Sequence, residues 1–152
     1  YYEYVSDSAL STEAQAAAAA HSYLGATGYL ATILDAGENT FITNLIGGPA
    51  WIGLSDAAVE GGWRWLDGPE AGDLAVYTNW AANEPNDYIS GEDYTQIKTN
   101  GTWNDHGLPN FPSYRHGYVV EYSPVPAPTT LALLGMGLAG FGFIRRKRLT
   151  QD

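Results

Sequence analysis

The chain opens on an aromatic stretch, Tyr1 to Val5, that predicts an entering strand. Ser11 then precedes an alanine-rich run from Glu13 to His21. Alanine has the highest helix propensity and serine is a good N-cap, so a helix capped by Ser11 is predicted there. "GYLATI", Gly28 to Ile33, predicts a strand. Asp35, followed three residues later by Glu38, makes a capping box. Behind it Phe41, Ile42, Leu45 and Ile46 recur at helical spacing and give one apolar face. Gly47, Gly48 and Pro49 stop this second helix. From "AWIGL", Ala50 to Leu54, the pattern changes to short strands among glycine, asparagine and proline, and "YVVEY", Tyr118 to Tyr122, reads as a closing strand. Helices early and a β-rich, loop-rich second half define an α+β class.

Residues 67 to 98 are too long a stretch for an ordinary connection, and loops of that length tend to be functional or disordered. Tryptophans decide between the two. All five lie between Trp51 and Trp103, and Trp80 and Trp103 flank the acidic part of the stretch, so it is expected to be packed, with the indoles in the core.

Beyond Ser123 the pattern changes again. "PVPAP", residues 124–128, is a stiff extended linker. Thr129 to Ile144 carries no charge over sixteen residues, and Arg145, Arg146, Lys147 and Arg148 follow. A membrane span needs about 17 to 25 residues, so this one is at the short limit, and the basic cluster supplies a cytoplasmic anchor. The expected organisation is a domain at 1–123, the linker at 124–128, a hydrophobic membrane or sorting helix with its basic end at 129–148, and a tail at 149–152. The start at Tyr1 without methionine reads as a chain whose export signal has been removed.

Charge sharpens the picture. The net charge of the whole chain is −10, yet residues 1–123 hold only Arg64, Lys98 and Arg115 against sixteen acids. Such a body repels phosphate backbones, which excludes nucleic acid as a partner and favours metal cations. With no cysteine there is no disulfide framework and no thiolate metal site. The acids concentrate in "EPNDYISGEDYTQIKTNGTWND", Glu84 to Asp105, which holds five of them with a single lysine. Two carboxylates about 4 Å apart repel by roughly 4 kcal/mol at an effective dielectric near 20, so this crowding calls for a counter-charge.

In order, "WIGL", "WRWLDG", "NW", "EPN", "GED" and "WND" resemble the C-type lectin-like domain, over about Tyr1 to Tyr122. The resemblance implies that fold: two helices packed on short antiparallel sheets with a long calcium-binding loop region. It implies a principal Ca2+ held by Glu84, Asn86, Glu92, Asn104 and Asp105, with the same five residues binding two sugar hydroxyls. It implies an auxiliary Ca2+ among Asp56, Glu60, Asp87, Glu92 and Asp93, with Glu92 shared. Calcium takes six to eight oxygen ligands, and this mixture of carboxylates and amides supplies them. A sugar hydroxyl can also give its proton to a carboxylate and accept one from an amide, so each group serves ion and sugar together. In the family EPN goes with mannose, glucose, N-acetylglucosamine and fucose, and Gln-Pro-Asp goes with galactose. A cis Glu84–Pro85 bond is expected as well. Tyr88, His106, Tyr114 and His116 are candidates to line the sugar site or are ordinary loop residues.

Family disulfides are absent, and their expected positions hold Tyr94 and Val120. The tail resembles the PEP-CTERM sorting signal of Gram-negative bacteria, with Pro126-Ala127-Pro128 in place of the usual motif. Together these imply an exported bacterial lectin domain, an exosortase substrate at the cell envelope or outside the cell. Its membrane contact would be through the C-terminal segment and its partner a surface or extracellular polysaccharide. An alternative stays open: a calcium-stabilised domain of this fold that binds a protein or surface polymer without sugar selectivity. An enzyme is not expected. Glu84 and Glu92 could pair as in a glycosidase, but the asparagines suit chelation, and no nucleophile motif such as G-x-S-x-G is present.

Overall fold

The computed structural model describes residues 1–88, 91–107 and 114–124. The expected hydrophobic helix and basic cluster lie outside them.

Strand β1, Tyr2–Ala9, is followed by helix α1, Ser11–Ala20, a small hairpin of β2, Ser22–Tyr23, with β3, Ala26–Thr27, and β4, Tyr29–Leu30. Helix α2, Ala36–Leu45, leads into β5, Ala50–Ser55. Then come β6, Arg64–Trp65, β7, Tyr94–Ile97, β8, Trp103–His106, and β9, His116–Glu121. The main sheet runs β1-β9-β5-β7-β8, with β4 on β9 and β6 on β5. This corrects the expectation of short antiparallel sheets: β5 lies parallel to β9, Ala50 opposite Gly117 and Trp51 opposite Tyr118, so the sheet is mixed.

The two central strands explain the apolar runs. Along β9, Tyr118 and Val120 join one core cluster and Val119 the other; along β5, Trp51 joins the first and Ala50, Ile52 and Leu54 the second. Successive side chains point to opposite faces, so strands buried on both faces read as unbroken hydrophobic sequence. Gly53 is the gap in β5, and backbone approach explains it. Its N–H donates to the Ala31 carbonyl at 2.9 Å, and a Cβ there would stand 2.6 Å from the Leu30 carbonyl oxygen.

Helix α2 starts as its sequence predicts. Asp35 caps it, accepting from the N–H groups of Gly37 at 2.7 Å and Glu38 at 2.9 Å. Glu38 reaches one residue further back than a capping box requires, to the Leu34 N–H at 2.7 Å. Its apolar face is narrower than expected: Ile42 and Ile46 are buried, Phe41 is exposed against Tyr2, and Asn39 turns inward. Helix α1 differs more. Ser11 is already inside it and buried; the cap position is Leu10, whose N–H donates to Glu13 Oε2 at 3.1 Å. The strand expected at Gly28 to Ile33 is ladder-paired only at Tyr29–Leu30.

The cysteine-free core is closed by packing. Val120 is fully buried in the cluster that holds Ala14 and Ala18 of α1, so apolar contact ties that helix to β9.

Candidate functional site

Trp103 is the anchor from which the loop region is built. It is fully buried on β8, and its Nε1–H donates to Asn39 Oδ1 at 2.7 Å, which is why an asparagine faces inward on α2. Trp65, Tyr77 and Trp80 pack edge-on around it. Its backbone extends the ladder to the incoming chain: Trp103 N–H donates to Asn79 O, and Ala81 N–H to Trp103 O, both at 2.8 Å. The Glu84 N–H then closes on Ala81 O at 3.1 Å. The tryptophans thus serve the core, as the sequence indicated, and bring Glu84 beside the "WND" strand.

At that point the chain turns through a cis Glu84–Pro85 bond, with Asn83 and Asp87 at positive φ on either side. Asp105, only 1% exposed, receives the turn: its Oδ2 accepts from the N–H of Asn86 at 2.7 Å and of Asp87 at 2.6 Å. Asn86 Nδ2 donates to Glu84 Oε2. Asn104 precedes Asp105 on β8 and donates to the Asp105 carbonyl at 2.5 Å. Asp87 Oδ1 accepts from Gly91 N–H at 2.6 Å, and Glu92 Oε2 from Tyr88 N–H at 3.2 Å, so both carboxylates also hold the loop's own backbone.

A second group forms after β5. Asp56, Glu60 and Asp93 each offer an oxygen within 4.8 Å of the others. Asp56 is 3% exposed, and its Oδ2 accepts from Gly61 N–H at 2.9 Å. Among the expected auxiliary ligands the structure gathers these three; Asp87 and Glu92 stand outside the group, engaged with loop amides.

Two observations bear on a cation. Asp56 Oδ1 and Asp105 Oδ1 are buried with no hydrogen-bond partner. An unsatisfied buried acceptor costs about 1–3 kcal/mol, and more when charged. The carboxyls also raise one another: burial, joined by neighbouring carboxylates, pushes Asp56, Glu84 and Glu92 above their ordinary values, with Lys98 opposing the rise at Glu84 and not cancelling it, and repulsion from Asp56 raises Glu60. Lone carboxylate oxygens among amides, one on β8 and one just past the end of β5, fit a hard divalent ion.

Histidines form the floor. The His106 Nδ1 lies 3.2 Å from Glu92 Oε1, and its ring lies against Tyr114 at 4.3 Å and His116 at 5.3 Å, with Trp51 behind. Burial lowers the affinity of both imidazoles for protons, His116 to a pKa of about 4. His106 and His116 therefore pack beneath the acidic loops, while Tyr88 stands exposed on them. Sequence reasoning did not foresee the stack on Trp51, because it joins β5, β8 and β9 across the sheet.

Comparison with known proteins agrees with this architecture. Residues 12–107 match the lectin C-type domain, and residues 124–148 match the PEP-CTERM protein-sorting motif. Halomucin of Haloquadratum walsbyi is 39% identical over 133 residues, 80% of this chain but 1% of that protein. C-type lectin domain family 17, member A, of Homo sapiens is 39% identical over 79 residues, 51% of this chain and 20% of its own length. Among solved structures, the cow carbohydrate-recognition domain of CD23, determined in the presence of GlcNAc2Man3 oligosaccharide, superimposes with a TM-score of 0.63 at 29% identity, covering 82% of this chain and 88% of that one. The C-type lectin CEL-I of Cucumaria echinata gives 0.66 at 26% identity, covering 80% and 89%.

Proposed function

The chain belongs to the lectin C-type domain family, a family of binding proteins and not of enzymes, and from that premise we propose that its acidic loops bind calcium and a carbohydrate. Glu84, Asn86, Glu92, Asn104 and Asp105 form the principal set, and Asp56, Glu60 and Asp93, with Asp87 and Glu92 alongside, the auxiliary one. The observation that carries this reading is the pair of buried carboxylate oxygens, on Asp56 and Asp105, that no protein group satisfies.

Bound calcium would supply a positive centre that neutralises the carboxylates and leaves coordination places for two sugar hydroxyls. The chain's own groups do the rest. Asp105 fixes the Glu84–Asn86 turn through two backbone bonds. Glu84 accepts and Asn86 donates, already joined to one another, so the pair presents acceptor and donor to adjacent hydroxyls. This order favours mannose-type sugars with equatorial vicinal hydroxyls. The oligosaccharide named with the similar CD23 domain contains mannose.

The match to the sorting motif at 124–148 supports an exported, cell-surface protein handled by an exosortase, and in this reading the tail holds the domain at the cell envelope. A single-monosaccharide site is shallow, so binding at a surface relies on many copies. The test is retention on mannose-agarose. Retention in calcium, release in chelator and failure on galactose-agarose support the reading. Retention unaffected by chelator contradicts it, and no retention on any sugar resin leaves a domain that binds protein or polymer.

A further inference from the structure

A groove of about 380 Å³ runs between helix α2 and the β7–β8 turn, a volume within the range of ligand sites. No side chain along it is charged, although residues 1–123 carry sixteen acids. It lies at the turn that leads into β8, whereas Asn104 and Asp105 sit further along that strand, and it shares no residue with the acidic loops. Its waist is Gly101, at φ 83°, where a Cβ would stand 2.7 Å from Thr43 Oγ1 and 3.2 Å from Asn39 Nδ2. The turn is thus pressed onto α2. The Gly101 carbonyl accepts from two amides at once, Asn39 Nδ2 at 3.0 Å and Asn79 Nδ2 at 2.7 Å.

Two of the groove's asparagines are held by one end and leave the other for a ligand. Asn79 is held by its nitrogen, which leaves Oδ1 as an acceptor. Asn100 is held by its oxygen, which accepts from the Thr102 N–H at 3.0 Å and hydroxyl at 2.8 Å, and leaves Nδ2 as a donor. Tyr77 meets Trp103 edge-on at 5.7 Å, and burial raises its phenol above the ordinary value, so it keeps a proton to donate. Among the described residues, neither that hydroxyl nor the amide of the exposed Asn44 has a hydrogen-bond partner. A hydroxyl both gives and accepts a hydrogen bond, so a polyol is matched by such separate donors and acceptors. Groups already fixed in place lose little entropy on binding it. A protein partner is poorly served here: the groove's apolar residues are Ala36 and Tyr77, and it offers no charge for pairing.

We propose that this groove is a second, calcium-independent binding site for a neutral hexose oligomer, with Asn44, Tyr77, Asn79 and Asn100 reaching its hydroxyls. The missing charge then acts as a filter, since a neutral chain meets no repulsion in the groove and an anionic one finds no cation to hold it. Binding here needs no metal, so this site and the acidic loops can fail separately.

The test uses the full chain, labelled with nitrogen-15, in a sugar-free zwitterionic detergent with chelator present. It is titrated separately with maltopentaose, cellopentaose and mannopentaose and followed by nuclear magnetic resonance. At least one of the three should shift the side-chain amides of Asn79 and Asn100 and the Gly101 N–H, and do so saturably. Asn44→Ala and Tyr77→Phe should each weaken that binding about three- to tenfold, the worth of one hydrogen bond. Neither should disturb the fold, because Asn44 is exposed and phenylalanine keeps the ring against Trp103. Pentagalacturonate, an anionic oligomer, should produce no saturable shift. The proposal is overturned if none of the three neutral oligomers shifts these amides, or if both variants bind as the wild type does. Equal affinity for pentagalacturonate overturns it also, by removing the role of the missing charge.

Discussion

Replacing both buried acids, Asp56→Asn with Asp105→Asn, separates their structural bonds from their charge. Each asparagine keeps an oxygen for the backbone donors now served by Oδ2: Gly61 N–H at position 56, and Asn86 and Asp87 N–H at position 105. Its amide replaces the oxygen that has no partner. Two negative charges leave a crowd in which each carboxylate raises its neighbours. The calcium-free variant should therefore melt no lower than the calcium-free wild type. In calcium the two diverge. For a dissociation constant of roughly 0.5 mM, typical of extracellular modules, about 10 mM calcium stabilises one site by about 1.8 kcal/mol. In a domain of this size that is a rise of about 7 °C. Tryptophan-fluorescence melts in chelator and in calcium should show this rise, or more, for the wild type and less than about 1 °C for the variant. A variant that keeps the full rise refutes the assignment of these oxygens to the ion. One that is severely destabilised without calcium refutes the charge argument.

Three further outcomes follow. Glu84→Gln with Asn86→Asp exchanges acceptor and donor in the bonded pair, so retention should move from mannose- to galactose-agarose. His116 is held neutral by burial, with a folded pKa of about 4 against an ordinary 6.5. The unfolded chain then binds more protons between those values, so the stability His116 contributes is present above about pH 6.5 and lost as pH falls towards 4. Being only half-buried, it is worth less than about 3 kcal/mol; denaturation of wild type and His116→Gln across that range should show their difference shrinking on acidification. Gly53→Ala forces a Cβ to within 2.6 Å of the Leu30 carbonyl oxygen, and denaturant melts should show a loss of about 1–3 kcal/mol or more.

Local signals were legible where local chemistry decides. Asp35 caps α2 as its sequence indicates, and β5 shows itself as an apolar run because both of its faces are buried. The parallel pairing of β5 with β9 was not legible, since it joins residues more than sixty positions apart and leaves no trace in periodicity. The Ser11 cap failed because β1 continues to Ala9 and the helix begins directly after Leu10. In the site, the acids were visible as a charge excess without counter-ions. That Asp56, Glu60 and Asp93 converge was legible only through a family pattern, because the loop carries Asp93 back across the sheet to the end of β5. The backbone donors to Asp105 depend on the path of the turn, and no residue type announces them. The ring contacts of Tyr23 with Tyr1 and Tyr122 were not legible either: "YYEY" tells only of β propensity, while these rings meet from separate parts of the chain.

The most direct measurement is a calorimetric titration of the purified protein with calcium, followed by mannose. Binding of one or two ions, and mannose heat that appears only once calcium is present, is the predicted result. Absence of calcium heat, or equal mannose heat in chelator, would contradict the account.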